Sequence, residues 1–141
     1  MKKQDYGDKR YAKTTESRRK PYVATIEEYA SYFAANPRGK KLRIALEKHA
    51  QAPEQTMTAG ELADAVGYKG FQAINSQYGI LGKGIAREFG LTLPRAQDND
   101  DIEVATFALA DEADPPRTAQ GHWRWQMHPE VREALQALGR V

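Results

Sequence analysis

The chain has 141 residues and a formal net charge of +2, with 40% hydrophobic residues, 28% charged residues and no cysteine. That length fits one domain and excludes a two-domain enzyme. The missing thiols exclude disulfides, thiolate nucleophiles and cysteine-based zinc sites. No apolar run approaches the ~20 residues of a membrane span, and nothing after Met1-Lys2-Lys3-Gln4-Asp5 reads as a secretory leader, so a cytoplasmic, non-membrane protein is expected.

Charge is unevenly laid out: residues 1–20 carry +5, 21–37 carry −2, 38–95 carry +4, 97–114 carry −7 with no Lys or Arg, and 115–141 carry +2. Residues 1–21 are basic, polar and poor in aliphatic side chains, which predicts a disordered arm closed by Pro21. Such an arm either adds salt-sensitive affinity for nucleic acid or only solubilises the chain. Residues 22–141 are then a single domain.

Thr25-Ile26-Glu27-Glu28 has the spacing of a capping box and predicts a helix through Ala35, stopped by Asn36-Pro37. A second helix is expected over about Lys40–Ala50, burying Leu42, Ala45, Leu46 and His49. Ala52-Pro53-Glu54-Gln55 reads as a linker. Thr58-Ala59-Gly60-Glu61 repeats the capping box and opens a third helix that ends at Gly67. Only Tyr68-Lys69-Gly70 separates it from the next helical pattern, a tight helix–turn–helix connection.

From Phe71 to Phe89, the residues Phe71, Ile74, Tyr78, Leu81, Ile85 and Phe89 form one apolar stripe. The other side shows Gln72, Asn75, Ser76, Gly79, Lys83 and Arg87, polar and basic with no acid before Glu88. Gly79, Gly82 and Gly84 each cost about 1 kcal/mol relative to Ala inside a helix. They imply either a break near Gly79 or a backbone that lies close to a partner surface.

Further on, Ile102–Leu109 and His122–Met127 read as the two strands of a β-hairpin, with Trp123, Trp125 and Met127 facing one way. The tryptophans read as core, with a stacking platform for an exposed base as the sharper alternative. Asp111–Gln120 is the expected long turn, which Pro115-Pro116 keeps out of a sheet. Pro129 starts a short last helix and Gly139 ends it.

This order predicts an α+β, mostly helical fold: a winged helix–turn–helix with a C-terminal β-hairpin and a short final helix. In that geometry Phe71–Phe89 is the recognition helix, lying in the major groove of double-stranded DNA. Gln72, Asn75 and Gln77 supply amides suited to adenine edges, and Ser76 a smaller partner. Lys69, Lys83 and Arg87 would contact phosphates, and Arg124 would approach from the hairpin. The plain alternative is a solvated polar helix face. Asp111, Glu112 and Asp114 on the hairpin would be repelled by phosphate, so either the turn points away or the acidic strip 97–114 meets a basic protein surface.

The stretches Thr58–Ala63, Val66–Lys69 and Ala73–Gly82, together with Gly121–Val131 and Ala134–Gly139, resemble the N-terminal module that precedes the nuclease in some bacterial HNH-type restriction endonucleases, several of them methylcytosine-dependent. The resemblance spans about 40–141, and its most specific element is Asn75-x-Gln77-Tyr78-Gly79-x-Leu81-Gly82. It implies a DNA-handling module, with cleavage done by an HNH domain that this sequence, reaching Val141, does not carry.

His49, His122 and His128 have no metal-ligand spacing, and the glycines of 79–84 follow no strand and lack a Walker lysine. Asp98, Asp100 and Asp101 could hold a hard cation but read better as a solvated loop. No enzyme and no cofactor are expected. Two readings remain: a DNA-binding protein of bacterial or phage origin, or a phage- or mobile-element-encoded inhibitor. The inhibitor would bind a protein component of a defence system, such as a CRISPR effector or a restriction enzyme.

Overall fold

The computed structural model describes residues 18–96 and 99–141. The fold is α+β. Its elements run α1 (Ile26–Ala35), α2 (Lys40–Gln51), β1 (Thr56–Thr58), α3 (Ala59–Val66), α4 (Gln72–Phe89), β2 (Arg95–Ala96), β3 (Asn99–Glu103), β4 (Ala110–Arg117), β5 (Trp123–Met127) and α5 (Pro129–Ala137). Three strands form an antiparallel sheet in the order β1-β5-β4, and β2 and β3 pair separately. No helix among the described residues is long and apolar enough to cross a membrane.

Both capping boxes form. Thr25 Oγ1 accepts from the Glu28 N–H while Glu28 accepts from the Thr25 N–H, and Thr58 and Glu61 repeat the exchange. These reciprocal bonds satisfy helix-end donors that would otherwise be orphaned. Gly67 ends α3 in the left-handed region at φ 84°, where a Cβ would be strained. The turn to α4 is therefore short. The stripe Ile74, Tyr78, Leu81 and Ile85 is buried in a core shared with residues of α1, α2, α3 and α5, each large aliphatic contributing roughly 1.5–3 kcal/mol by burial.

Helix α4 is continuous, so the break considered near Gly79 does not occur. Two of its glycines answer to internal neighbours instead of a partner. A Cβ at Gly82 would collide with the carbonyl oxygen of Ala105, in a 3-10 turn over Ala105–Ala108, and one at Gly84 with the Tyr32 hydroxyl. At Gly79 a Cβ would meet nothing.

The hairpin differs from expectation. Trp123–Met127 pairs with Ala110–Arg117, not with Ile102–Leu109. The earlier segment divides into β3 and the 3-10 turn, which packs on α4. Pro115-Pro116 enters the strand because the register shifts between Glu112 and Arg117, a bulge in which prolines need no ladder donor. The closing turn is 118–122: the Gly121 N–H donates to the Thr118 carbonyl, and Gly121 adopts φ 87°. The residues between the expected linker and α3 form an unforeseen strand, β1, with Thr58 opposite Arg124.

Residues 1–17, most of the basic arm, lie outside the described residues. Its last three cations do not behave as an arm. Arg18 makes a two-pronged bond to buried Glu28 of α1, Arg19 one to Glu130 of α5, and Lys20 Nζ lies 3.2 Å from Asp111 of β4. Three successive side chains thus tie the segment to three elements, and the domain begins before residue 22.

Candidate nucleic-acid interface

Helix α4 presents one face to solvent along its length. At about 100° per residue, Gln72, Asn75, Ser76, Ile80, Lys83 and Arg87 share an arc opposite the buried stripe, and all six are exposed. Gly79 lies inside that arc, leaving the backbone bare at its centre. Lys69, in the turn ahead of the helix, is exposed as well. Lys41 caps the neighbouring Tyr68 ring at 4.7 Å, adding a cation on the same side of the turn.

Two of the expected residues do not join this face. Gln77 sits on the flank, roughly 100° around the helix from Ser76, and is half-buried. Arg124 is half-buried, and its guanidinium donates to the Pro115 carbonyl at 2.6 Å, holding the β4 bulge. Strand alternation turns it away from Trp123 and Trp125. Conversely, Ile80, 59% exposed at the edge of a polar arc, went unremarked in the sequence. Its break from the three-and-four spacing of the apolar stripe is the signal that marks it.

The tryptophans part company. Trp125 is half-buried, edge-on to Phe107 with centroids 5.5 Å apart, whereas Trp123 is 40% exposed and so is not core. Phe71, expected at the head of the buried stripe, precedes α4 as its N-cap and is 46% exposed. Phe71 and Trp123 face a common groove of about 640 Å³ between the starts of α3 and α4 and the hairpin. On its far side the ridge formed by Trp123 and Trp125 bounds a second groove, in which Arg117 lies 4.1 Å over the Trp123 ring.

The acidic strip is not one surface. Asp98 and the side chains of Asp100 and Asp101 lie outside the described residues, so a cation loop there has no structural account. Asp111 is half-buried and partnered: it accepts from the Tyr22 hydroxyl at 2.5 Å and from Lys20. Burial raises its carboxyl, but the Tyr22 hydrogen bond, His128 and Lys20 outweigh that and hold it below the ordinary carboxylate range. Glu112 and Asp114 remain exposed.

The imidazoles are structural in their surroundings. His49 is fully buried between the Tyr78 hydroxyl, 2.9 Å from Nδ1, and the Trp125 carbonyl, 2.9 Å from Nε2. A carbonyl only accepts, so Nε2 carries the proton and Nδ1 accepts from Tyr78. Burial pushes its pKa down to about 4. His128 is the buried N-cap of α5 and donates from Nε2 to the Phe107 carbonyl at 2.7 Å. Only His122 is exposed. Among the described residues no three His, Asp or Glu side chains gather as a metal site.

No family model, curated protein or solved structure matches the chain.

Proposed function

We propose that this protein is a non-catalytic, double-stranded-DNA-binding protein of the winged helix–turn–helix type, with α4 as the recognition helix. The observation that carries the reading is the continuous exposed arc of α4, with amides near its start and cations at either end. An α-helix fits the major groove, and Gln72 and Asn75 can each pair bidentately with an adenine edge. Lys69, Lys83 and Arg87 are spaced to reach phosphates and set register. Helix, strand, two helices and a hairpin in the sheet order β1-β5-β4 support the winged architecture, in which β4, β5 and the turn 118–122 form the wing. The resemblance of 40–141 to the module ahead of HNH nucleases adds to the reading and raises methylated cytosine as a target.

Fluorescence-anisotropy titration of labelled duplexes, plain and cytosine-methylated, at two salt concentrations tests it. Truncation should remove residues 1–17 only, because Arg18–Lys20 are part of the fold. The truncated protein is expected to keep binding, with affinity falling as salt rises. Asn75→Ala combined with Lys83→Ala should weaken binding by about 30-fold or more, since each good bidentate base contact contributes about 1–3 kcal/mol. Binding that disappears with residues 1–17 alone, or that ignores the double substitution, overturns the proposal.

Gly79 supplies an independent test. Gly79→Ala should stabilise the fold by about 0.5–1 kcal/mol in urea melts, because Ala favours helix and the space is open. If α4 lies in a groove with its backbone close to DNA, the same change weakens duplex binding. A variant both more stable and an equally tight binder would remove Gly79 from the interface.

The exposed acids Glu112 and Asp114 on β4 favour a second reading, an inhibitor that meets a basic protein surface of a restriction enzyme or CRISPR effector. Its mark would be a stoichiometric complex with such an enzyme on size exclusion, together with weak duplex binding.

A further inference from the structure

Among the large hydrophobic side chains exposed in the described residues, two of four, Phe71 and Trp123, line a single groove. Burial of such rings is worth more than burial of any other side chain, so two left open toward one space mark a site for a flat apolar occupant. The groove's polar side chains are few: Asn75, His122, Glu61 and the hydroxyls of Thr58 and Thr106, that of Thr58 already accepting from the Glu61 N–H. Glu61 uses one oxygen on the Thr58 N–H, at 2.8 Å, and its second oxygen has no hydrogen bond among the described residues. Asn75 is exposed, its amide open to a ligand.

Charge decides what the occupant is not. Among the described residues no Lys or Arg lines this groove, and it contains a carboxylate, so it would repel a phosphate. The phosphate-seeking cations lie outside it, on the α4 arc, and Arg117 covers the Trp123 ring from the second groove. The lining thus combines aromatic walls, a two-way amide and a spare carboxylate acceptor. Those are the complements of a nucleobase: two π-faces, a donor–acceptor edge and an exocyclic amine.

We propose that the groove between Phe71 and Trp123 receives a single unstacked nucleobase of bound DNA, held by the two rings and read by Glu61 and, when the groove is filled, by Asn75 in place of its adenine-edge contact. The proposal rests on the DNA-binding reading above. Turning a base out of a duplex is unfavourable, and least so where the base is already unpaired. A protein that houses such a base should therefore prefer a duplex carrying one.

The experiment compares the full chain on two labelled duplexes of the same sequence, one fully paired and one with a single bulged 2-aminopurine, by anisotropy and by 2-aminopurine fluorescence. Binding to the bulged duplex is expected to be at least tenfold tighter, with the probe's emission changing as it stacks on the rings. Trp123→Ala and Phe71→Ala, both surface changes, should abolish the preference and the emission change while leaving fully paired binding within twofold. Trp123→Phe should restore most of both, whereas Lys83→Ala should weaken the two duplexes alike. Equal affinity of the native chain for both duplexes, or a preference that survives loss of both rings, overturns the base site while DNA binding stands. Failure to bind either duplex overturns both proposals.

Discussion

Gly82→Ala lowers the stability of the protein by about 2 kcal/mol, a fall of several degrees in melting temperature. Helix propensity alone predicts the opposite sign, since Ala is favoured over Gly by about 1 kcal/mol in a helix interior. The collision decides the matter, because the atom in the way is a backbone oxygen, that of Ala105, with the Ala108 Cβ close behind. This turn cannot retreat easily. The Ala108 carbonyl accepts from the buried Tyr29 hydroxyl, the Phe107 carbonyl from His128, and the Leu109 carbonyl from the His128 N–H. Moving it disturbs each of those buried bonds, and an unsatisfied buried group costs roughly 1–3 kcal/mol. Urea melts of Gly82→Ala beside Gly79→Ala check this within one helix. A Gly82→Ala protein as stable as the parent would mean that the turn does not pack as described.

Acidification from pH 6.5 to 4 removes about 3 kcal/mol of stability through His49 alone. Its pKa is about 4 in the fold against an ordinary 6.5, so between those values the unfolded chain binds a proton that the native chain refuses. Stability rises with pH wherever the unfolded state holds more protons, so the contribution is complete above 6.5 and lost as pH falls toward 4. The groups facing the ring are the Tyr78 hydroxyl and the Trp125 carbonyl, neither of them an anion that could welcome the charge. His128 acts in the same direction: burial depresses it, partly offset by the Phe107 carbonyl and by Asp111 3.6 Å from Nδ1. Denaturant titrations at pH 7.5, 5.5 and 4 measure the slope, and His49→Gln, which cannot titrate, should flatten most of it. An unchanged slope would place the acid sensitivity elsewhere.

Local signals carried the helices. The pairs Thr25/Glu28 and Thr58/Glu61 mark helix starts because a capping box closes within four residues, and Gly67 and Gly139 mark ends because their backbone is left-handed. Strands were legible only where alternation ran long enough. Three residues cannot display it, so Thr56–Thr58 showed no strand, only the helix cap at Thr58; its strand character comes from pairing with Gln126–Arg124, far along the chain. Ala110–Arg117 has the composition of a loop and is held extended by β5. For the candidate interface, the exposed arc of α4 follows from one helix's periodicity and was visible at once. The groove was not, because its walls come from α3, α4 and β5. Alternation also told which way Trp123 points without telling how deep it sits, and near a strand end the two diverge.

Among the described elements, pairings between distant positions shape how the fold forms. Helix α1 packs on α5, and β1 completes its ladder only with β5. On a ribosome, α1 therefore emerges well before α5, the helix it packs on and a contributor of Val131 and Leu135 to the same core. Contacts between distant positions form late, after the entropy of closing the intervening loop has been met. Protease resistance should therefore appear in one step, once α5 is free to pack on α1.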